Sequence, residues 1–124
     1  MTATHFEGAH YISLATFKRD GSNVPTPVWF VALDGHLYAF SERRAGKIKR
    51  LRNSSRARVA SCNVRGNLRG DWVEANAYVV DDAETEARVY AALVRKYGWQ
   101  MRLANLLSTL SGRIRNRAVI RIEV

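Results

Sequence analysis

Two Asp-Gly pairs separate three segments of this chain that are rich in strand-forming residues. The pairs are Asp20-Gly21 and Asp34-Gly35, and the segments cover residues 11–17, 24–33 and 36–40. Asp and Gly tolerate the positive φ angles of tight hairpin turns, so an Asp-Gly pair between two such segments is a strong hairpin signal. The first third of the chain is therefore predicted to form a three-stranded antiparallel meander.

Three further segments are predicted to be strands. Residues 56–64 and 72–80 flank a loop that contains Gly66 and Gly70, and residues 118–124 close the chain. Within residues 72–80, Val73, Ala75 and Ala77 alternate with polar or amphipathic residues. This period of two is typical of a strand with one face in a core and one face near solvent.

Helical patterns occupy most of the remaining chain. A short basic helix is predicted from Gly46 to Asn53, and a second helix follows the acidic residues of 81–86 and ends at Gly98. The apolar stripe predicted for the second helix consists of Ala87, Tyr90, Ala91, Val94 and Tyr97. A third helix, from Trp99 to about Leu110, carries Leu103, Leu106, Leu107 and Leu110 at helical spacing.

These elements predict a mainly β (α+β) fold. The expected architecture is a six-stranded antiparallel barrel with a short helix after the third strand and a helical pair before the last strand. A chain of 124 residues suits one domain, residues 1–124. Because a small domain covers its apolar surface poorly, pairing with a second copy is plausible.

The most unusual feature of the composition is the basic segment between the third and fourth strands. Residues 41–59 hold eight of the 20 basic residues of a chain with net charge +9. Lys47, Lys49 and Arg50 fall in the first turns of the predicted helix, where the macrodipole already carries partial positive charge. A phosphate bound at this helix N-terminus would remove the conflict. The alternative is that these cations form a solvated helix face.

Net charge alone is compatible with nucleic acid, an anionic membrane or a small polyanionic ligand. The basic residues are concentrated in one segment, and the chain lacks an RNP-type aromatic pair, a reliable GXXG loop and a helix-turn-helix pattern, so nucleic acid is not expected. No apolar stretch approaches the twenty or so residues of a spanning helix, and no membrane partner is expected. With one cysteine and no signal-peptide pattern at Met1, a cytoplasmic location is the default expectation.

The chain offers no coherent set of catalytic side chains. His5, His10 and His36 have neither metal-ligand spacing nor triad partners, so no metal site is predicted. Cys62 lacks a neighbouring histidine and suits a small buried strand residue better than a nucleophile. Such a chain fits an enzyme in which a bound cofactor performs the difficult step.

A family resemblance rests on four stretches of sequence. They are Thr26-Pro-Val-Trp29, Leu37-Tyr38 with Ser41, Gly46-Lys-Ile-Lys-Arg-Leu-Arg-Asn53, and Arg56-Ala-Arg-Val-Ala-Ser-Cys62. Together they resemble the split β-barrel flavin/deazaflavin-binding family that includes the pyridoxamine 5′-phosphate oxidase-like proteins. The match is closest to the actinobacterial branch that uses coenzyme F420. One departure is Ser54-Ser55, where the family usually has Asn-Pro or Asp-Pro.

The resemblance implies a homodimer with two cofactor sites at the subunit interface. By position, Lys47 and Lys49 match the residues that hold the cofactor phosphate. Arg50 matches a helper beside them, and Ser41 matches a hydroxyl beside the phosphate. Two further stretches match the residues that form the walls against the tricyclic ring. They are Thr26, Pro27, Val28 and Trp29 on one strand and Ala60, Ser61 and Cys62 on another. From the residues alone, Trp29 suits core or interface packing equally well, and Thr26-Pro27 suits a plain edge strand.

The resemblance also implies a reaction. An F420-dependent oxidoreductase would transfer a hydride from reduced deazaflavin to a conjugated small-molecule acceptor, and no side chain is assigned as catalytic. F420 is more anionic than FMN because it carries a phosphodiester and a polyglutamate tail, and Arg43, Arg44, Arg52, Arg56 and Arg58 supply matching charge near the helix. The alternatives are an FMN-binding oxidoreductase of the same fold, a non-enzymatic F420 carrier and a nucleic-acid-binding module.

Overall fold

The computed structural model describes Phe6, residues 8–111 and residues 117–124. Along these residues the elements are β1 (Tyr11–Phe17), β2 (Asn23–Val28), β3 (Phe30–Leu33), β4 (His36–Glu42), α1 (Gly46–Asn53), β5 (Arg56–Cys62), β6 (Val73–Val80), α2 (Ala83–Tyr97), α3 (Trp99–Ser111) and β7 (Arg117–Glu123). The predicted order of strands and helices is confirmed, apart from one strand that is divided in two.

The sheet has seven strands in the order β2-β1-β5-β6-β7-β4-β3, and all neighbours are antiparallel. The prediction of six strands was wrong because residues 24–33 form two strands, not one. The chain leaves β1 at Val28 and joins β4 from Phe30 onward, with only Trp29 between. The sequence pattern of residues 24–33 does not show that the chain changes from one partner strand to another at Trp29.

The sheet is open, but its two edges lie close together. β2 and β3 are the edge strands, and a single residue connects them. The sheet must therefore curve until its edges meet at Trp29, which produces a barrel-like interior without a ladder between β2 and β3. The predicted barrel is therefore correct in that the sheet curves around an interior. It is wrong in that no ladder between β2 and β3 closes the sheet.

The main core fills the concave side of the sheet. Fully buried side chains reach it from strands across the sheet, including Ile12, Leu14, Leu37, Ile120 and Ile122. The helix α1 adds Ile48 and Leu51 to the same core and packs against β1 and β6. The N-terminus of α1 is thereby fixed at one end of the barrel interior.

The predicted alternation of β6 is confirmed. Ala75 and Ala77 are buried, whereas Glu74, Asn76 and Tyr78 are exposed. In β7, Ala118, Ile120 and Ile122 are buried, and the intervening Val119 is buried as well. Both faces of β7 are covered at this point because α2 packs a second core on the convex side of the sheet.

The orientation of α2 differs from the predicted one. Asp82 caps its N-terminus and Gly98 ends it at φ 60°, as the sequence indicates. However, Ala87 and Ala91 are exposed, and the buried residues are Val89, Ala92, Leu93 and Tyr97. Apolar residues surround much of this helix, so its periodicity does not determine which side faces the sheet.

The leucines of helix α3 do not face the core. Its four leucines share one face as the spacing indicates, but all four are exposed. Met101, on another side of the helix, is fully buried instead. The helix therefore packs through its less apolar side.

Candidate functional site

The helix α1 begins without any compensating negative charge. Ala45 precedes it and provides no side-chain cap, and its first turn contains no acidic residue. Lys47 in that turn donates a hydrogen bond from Nζ to Oγ of Ser41, at 3.2 Å. Ser41 is buried near the end of β4. The structure thus brings together the predicted phosphate-holding lysine and the predicted neighbouring hydroxyl.

Arg50 lies beside the same helix terminus. Its Nε donates to Oγ1 of Thr16 on β1, at 2.6 Å. A Cβ on Gly46 would lie 2.7 Å from Nη1 of Arg50, so the glycine leaves the space in which the guanidinium lies. A second cation is therefore held at the positive end of the helix dipole, where an anion is favoured.

The electrostatic environment of Lys47 is unfavourable for its own charge. Burial lowers the pKa of Lys47, and the nearby Arg50 lowers it further, while Glu42 acts in the opposite direction. The ion pairs among the described residues involve Arg43, Arg58, Arg88 and Arg121. Lys47 and Arg50 have no carboxylate within ion-pair distance in that part of the chain, so a bound anion would satisfy both.

Lys49 occupies a different position from the other two cations. It is exposed, whereas Lys47 and Arg50 are half-buried. Two residues correspond to about 200° around an α-helix, so Lys47 and Lys49 point in nearly opposite directions. The structure therefore groups Lys47, Arg50 and Ser41 but leaves Lys49 on the outer face of α1.

A cavity of about 470 Å³ adjoins Arg50 between the end of β1 and the end of α1. Four cations line it, namely Lys18, Arg19, Arg50 and Arg56. The Arg56 guanidinium carbon lies 4.0 Å from the Phe17 ring centroid, which orients this side chain by a cation–π contact. Lys18 and Arg19 were not singled out from the sequence, because their relation to α1 depends on how β1 ends beside it.

The predicted ring walls flank β1. In the ladder, Pro27 and Ala60 both lie opposite Ser13, and Val28 and Ser61 both lie opposite Ile12. The two wall segments are therefore two strands apart with β1 between them. The contact of Arg50 with Thr16 is three residues further along β1, or roughly 10 Å.

Thr26 carries a buried polar atom without a partner. Its Oγ1 is inaccessible and makes no hydrogen bond to any described residue. Thr26 lies opposite Leu14 on β1, and Thr16 lies two residues further along the same face. A buried unpaired hydroxyl is costly, so this atom is a candidate for bonding a ligand that enters between Thr26 and the Arg50–Thr16 pair.

A second cavity, of about 400 Å³, lies at the other end of β1. Ser61 and Cys62 line it together with His10, Tyr11 and Arg69. Burial raises the pKa of the Cys62 thiol, and the charge of Arg69 acts in the opposite direction. The thiol is buried, in agreement with the prediction of a small strand residue.

Trp29 is half-buried against the end of α2. Its ring stacks on Tyr97, whose hydroxyl lies 3.0 Å from both the nitrogen and the oxygen of Phe30 and 2.9 Å from the His10 oxygen. Burial raises the pKa of Tyr97 to about 12, so the phenol stays protonated and can serve these backbone groups. This packing supports the corner between β2 and β3, and contact of Trp29 with a cofactor stays a prediction.

A third cavity, of about 510 Å³, lies between β3 and α2, and none of the predicted site residues line it. Lys96 lines it and donates from Nζ to the Phe30 oxygen at 2.9 Å. Burial lowers the pKa of Lys96 to about 8. Lys96 was not identified from the sequence, because Val89, which lies seven residues before it and is buried, was not on the predicted apolar stripe of α2.

The described residues hold no group of three or more potential metal ligands. His5 lies outside them. Among the helices in the described part of the chain, none combines the length and apolar character that crossing a bilayer requires.

Comparison with known proteins supports one family. The model of the pyridoxamine 5′-phosphate oxidase family matches residues 2–124. HutZ, the heme storage protein of Vibrio cholerae, has a similar fold, with a TM-score of 0.71 at 15% identity over 94% of this chain and 82% of that one. No curated protein matches the chain.

Two further solved structures are also similar. A conserved hypothetical protein of Mycobacterium tuberculosis has a TM-score of 0.69 at 21% identity, covering 92% of this chain and 72% of its own. An FAD-binding protein of Mesorhizobium loti has a TM-score of 0.60 at 20% identity, covering 93% and 78%. These likenesses show the shared fold, and the family model covers nearly the whole sequence. The chain therefore belongs to the pyridoxamine 5′-phosphate oxidase family and has its split-barrel, flavin-binding type of fold.

Proposed function

We propose that this protein is an F420-dependent oxidoreductase. The observation that carries the proposal is the surplus of unpaired positive charge around the start of α1. Lys47 and Arg50 are held on the hydroxyls of Ser41 and Thr16 without a carboxylate partner among the described residues. The adjoining cavity adds Lys18, Arg19 and Arg56. A phosphate monoester needs fewer cations than this, whereas a phosphodiester followed by several carboxylates would use them.

The residues present fit such a cofactor along β1. The phosphate would lie between Lys47 and Arg50, and the anionic tail would extend into the cationic cavity beside Phe17. The tricyclic ring would lie toward the segments around Pro27 and Ser61, about three residues along β1 from Thr16. Thr26 lies between these regions, opposite Leu14 on β1, and its buried, unpaired Oγ1 would hydrogen-bond a polar group of the cofactor on binding.

The chemistry would divide between protein and cofactor. When bound, reduced F420 supplies a hydride for a conjugated acceptor, such as an activated alkene, a quinone or a tetrapyrrole. The protein would bind the phosphate, orient the ring and leave one ring face open to the acceptor. Water or a nearby side chain would supply the accompanying proton.

A homodimer is part of the proposal. β2 is an edge strand of the sheet, and its exposed Pro25 and Pro27 cannot extend the ladder by donating hydrogen bonds. A second copy would cover this region and complete each site at the seam. Light scattering at micromolar concentration should give the dimer mass, and a monomer that retains full F420 affinity would contradict this arrangement.

The central test is a parallel titration of the purified protein with F420, FMN and an RNA oligomer at 50 and 500 mM NaCl. F420 should bind more tightly than FMN, and its advantage should shrink at high salt because the tail is held by screened charges. Equal or tighter FMN binding at low salt would transfer the assignment to an FMN-dependent enzyme. Preferred binding of RNA would overturn the proposal.

A second experiment separates an enzyme from a carrier. Reduced F420 is incubated anaerobically with the protein and a panel of conjugated acceptors in the presence of a chelator. Acceptor-dependent oxidation supports the enzyme. Tight F420 binding without oxidation of any acceptor would favour a non-enzymatic carrier, a role for which the structural similarity to a heme storage protein gives a precedent in this fold.

A further inference from the structure

The exposed side of α3 carries five large apolar side chains. We call this surface the apolar face of α3, and it consists of Trp99, Leu103, Leu106, Leu107 and Leu110. Their exposed fractions are 71%, 46%, 55%, 58% and 75%. At 100° per residue, the five positions fall within about 100° of the helix circumference. They therefore form one continuous stripe.

The inner side of α3 is attached firmly to the sheet. Met101 is fully buried, and Arg117 at the start of β7 donates to Oδ1 of Asn105 at 2.6 Å and to the Ala104 oxygen at 3.3 Å. These contacts hold the helix in the orientation that directs the leucines outward. The apolar face is therefore exposed because Met101 and Arg117 fix the opposite side of the helix to the sheet. A continuous exposed stripe of this kind is typical of a surface that binds a partner.

The charge around this face indicates what the partner is. Residues 87–122 contain eight basic residues and no acidic residue, although Arg88 and Arg121 pair with Asp34 and Glu123. Arg102 is exposed and lies one helical turn from both Trp99 and Leu106, and Arg95 is exposed near the end of α2. Neither arginine forms an ion pair with a carboxylate of the described residues. The partner should therefore accept apolar side chains and carry negative charge.

A second copy of the chain fits this description poorly. Two apolar faces packed together would bring Arg102 of both copies toward each other, and Arg102 has no carboxylate partner among the described residues that would offset the repulsion. An anionic lipid bilayer meets both requirements, because its acyl region accepts Trp and Leu while its headgroups attract Arg. We propose that α3 docks this protein on the surface of anionic membranes through its apolar face. This proposal is independent of the cofactor and revises the expectation from sequence that no membrane is involved.

The experiment is flotation of the full chain with vesicles. Phosphatidylcholine vesicles are compared with vesicles that contain about one third phosphatidylglycerol, at 50 and 500 mM NaCl. The protein should float with the anionic vesicles, and the bound fraction should fall severalfold at high salt. Leu106→Ser combined with Leu110→Ser should reduce binding at least tenfold, whereas Leu68→Ser, which replaces an exposed leucine outside α3, should not change it.

A second measurement does not depend on the double variant. Lipids with brominated acyl chains should quench the tryptophan fluorescence of the wild type. Trp99→Phe should remove this quenching, and Trp72→Phe, at another partly exposed tryptophan, should retain it. Arg102→Glu should weaken binding to anionic vesicles, with thermal melts confirming that each variant is folded.

Three outcomes would overturn the proposal. One is the absence of flotation with anionic vesicles. Another is flotation that is unaffected by both the leucine double variant and Trp99→Phe. The third is a protein that does not float but loses an oligomeric state in the double variant, which would identify a second copy as the partner of the apolar face.

Discussion

The indole of Trp29 stacks on the phenol of Tyr97 with ring centroids 4.5 Å apart and ring planes inclined by 11°. Trp29 is the single residue between the two edge strands, and Tyr97 is the last residue of α2. The contact therefore connects the corner of the sheet to the helix packed on its convex side. The hydroxyl of Tyr97 strengthens this connection through the backbone of Phe30 and His10.

Tyr97→Phe should destabilise the fold. The variant keeps the stacked ring but removes the acceptor for the buried Phe30 N–H, and an unsatisfied buried group costs about 1–3 kcal/mol. The Phe30 oxygen would still accept from Lys96. Chemical denaturation measures the loss, and Tyr78→Phe, at an exposed tyrosine, should change the free energy of unfolding little. Equal effects of the two substitutions would contradict this role of the Tyr97 hydroxyl.

Lys47→Met and Lys49→Met should differ in their effect on F420 affinity. Lys47 is half-buried beside Ser41, and losing a charge-assisted phosphate contact costs about 1.5–3 kcal/mol, or roughly 10- to 100-fold in Kd. Lys49 is exposed on the other side of α1, so its loss should change Kd by about threefold or less because surface charges are screened. Titration by cofactor fluorescence measures both. A larger effect at Lys49 than at Lys47 would place the phosphate on the outer face of α1.

Thr26→Val should separate stability from cofactor binding. The substitution removes a buried hydroxyl that has no partner among the described residues, so the free energy of unfolding without cofactor should stay constant or increase. If the hydroxyl bonds the cofactor, F420 affinity should fall by about tenfold, which corresponds to one hydrogen bond. Thermal melts and titration are measured on the same preparation. Unchanged affinity would remove Thr26 from the binding site.

Lys96→Met should alter the pH dependence of stability. The pKa of Lys96 is about 8 in the folded protein, below the ordinary value of 10.5, so the unfolded chain binds more protons above pH 8. Stability from this group therefore increases as pH rises from about 8 to 10. Above pH 10 the raised pKa of Tyr97 acts in the opposite direction, because only the unfolded chain then ionises its tyrosine.

The measurement for Lys96 is the free energy of unfolding at intervals between pH 7 and 10. The increase with pH should be smaller in Lys96→Met than in the wild type, and the variant should be more stable at pH 7 because no charge is buried. Lys49→Met is the control, since it removes an exposed lysine and should retain the wild-type slope. Identical slopes for all three proteins would refute the assignment to Lys96.

Local patterns in the sequence were sufficient for most elements of the fold. The Asp-Gly pairs place the turn before β2 and the turn between β3 and β4, and Asp82 and Gly98 bound α2, because these residues act on their immediate neighbours. The position of the cations at the start of α1 was also evident from sequence, since a helix dipole acts within the first turn. These features depend on contacts a few residues apart.

Tertiary structure decided the features that depend on distant partners. Three features involve residues far apart in sequence. At Trp29 the chain changes its pairing partner from β1 to β4, Arg50 bonds Thr16, and the α3 leucines point outward. Periodicity identifies which side chains share a face, but the packing of other elements determines whether that face is buried. The same reason explains why Lys96 was noticed only once α2 was packed on β3. Thr26 was a candidate from the sequence, but its unpaired hydroxyl was evident only once β2 was paired with β1.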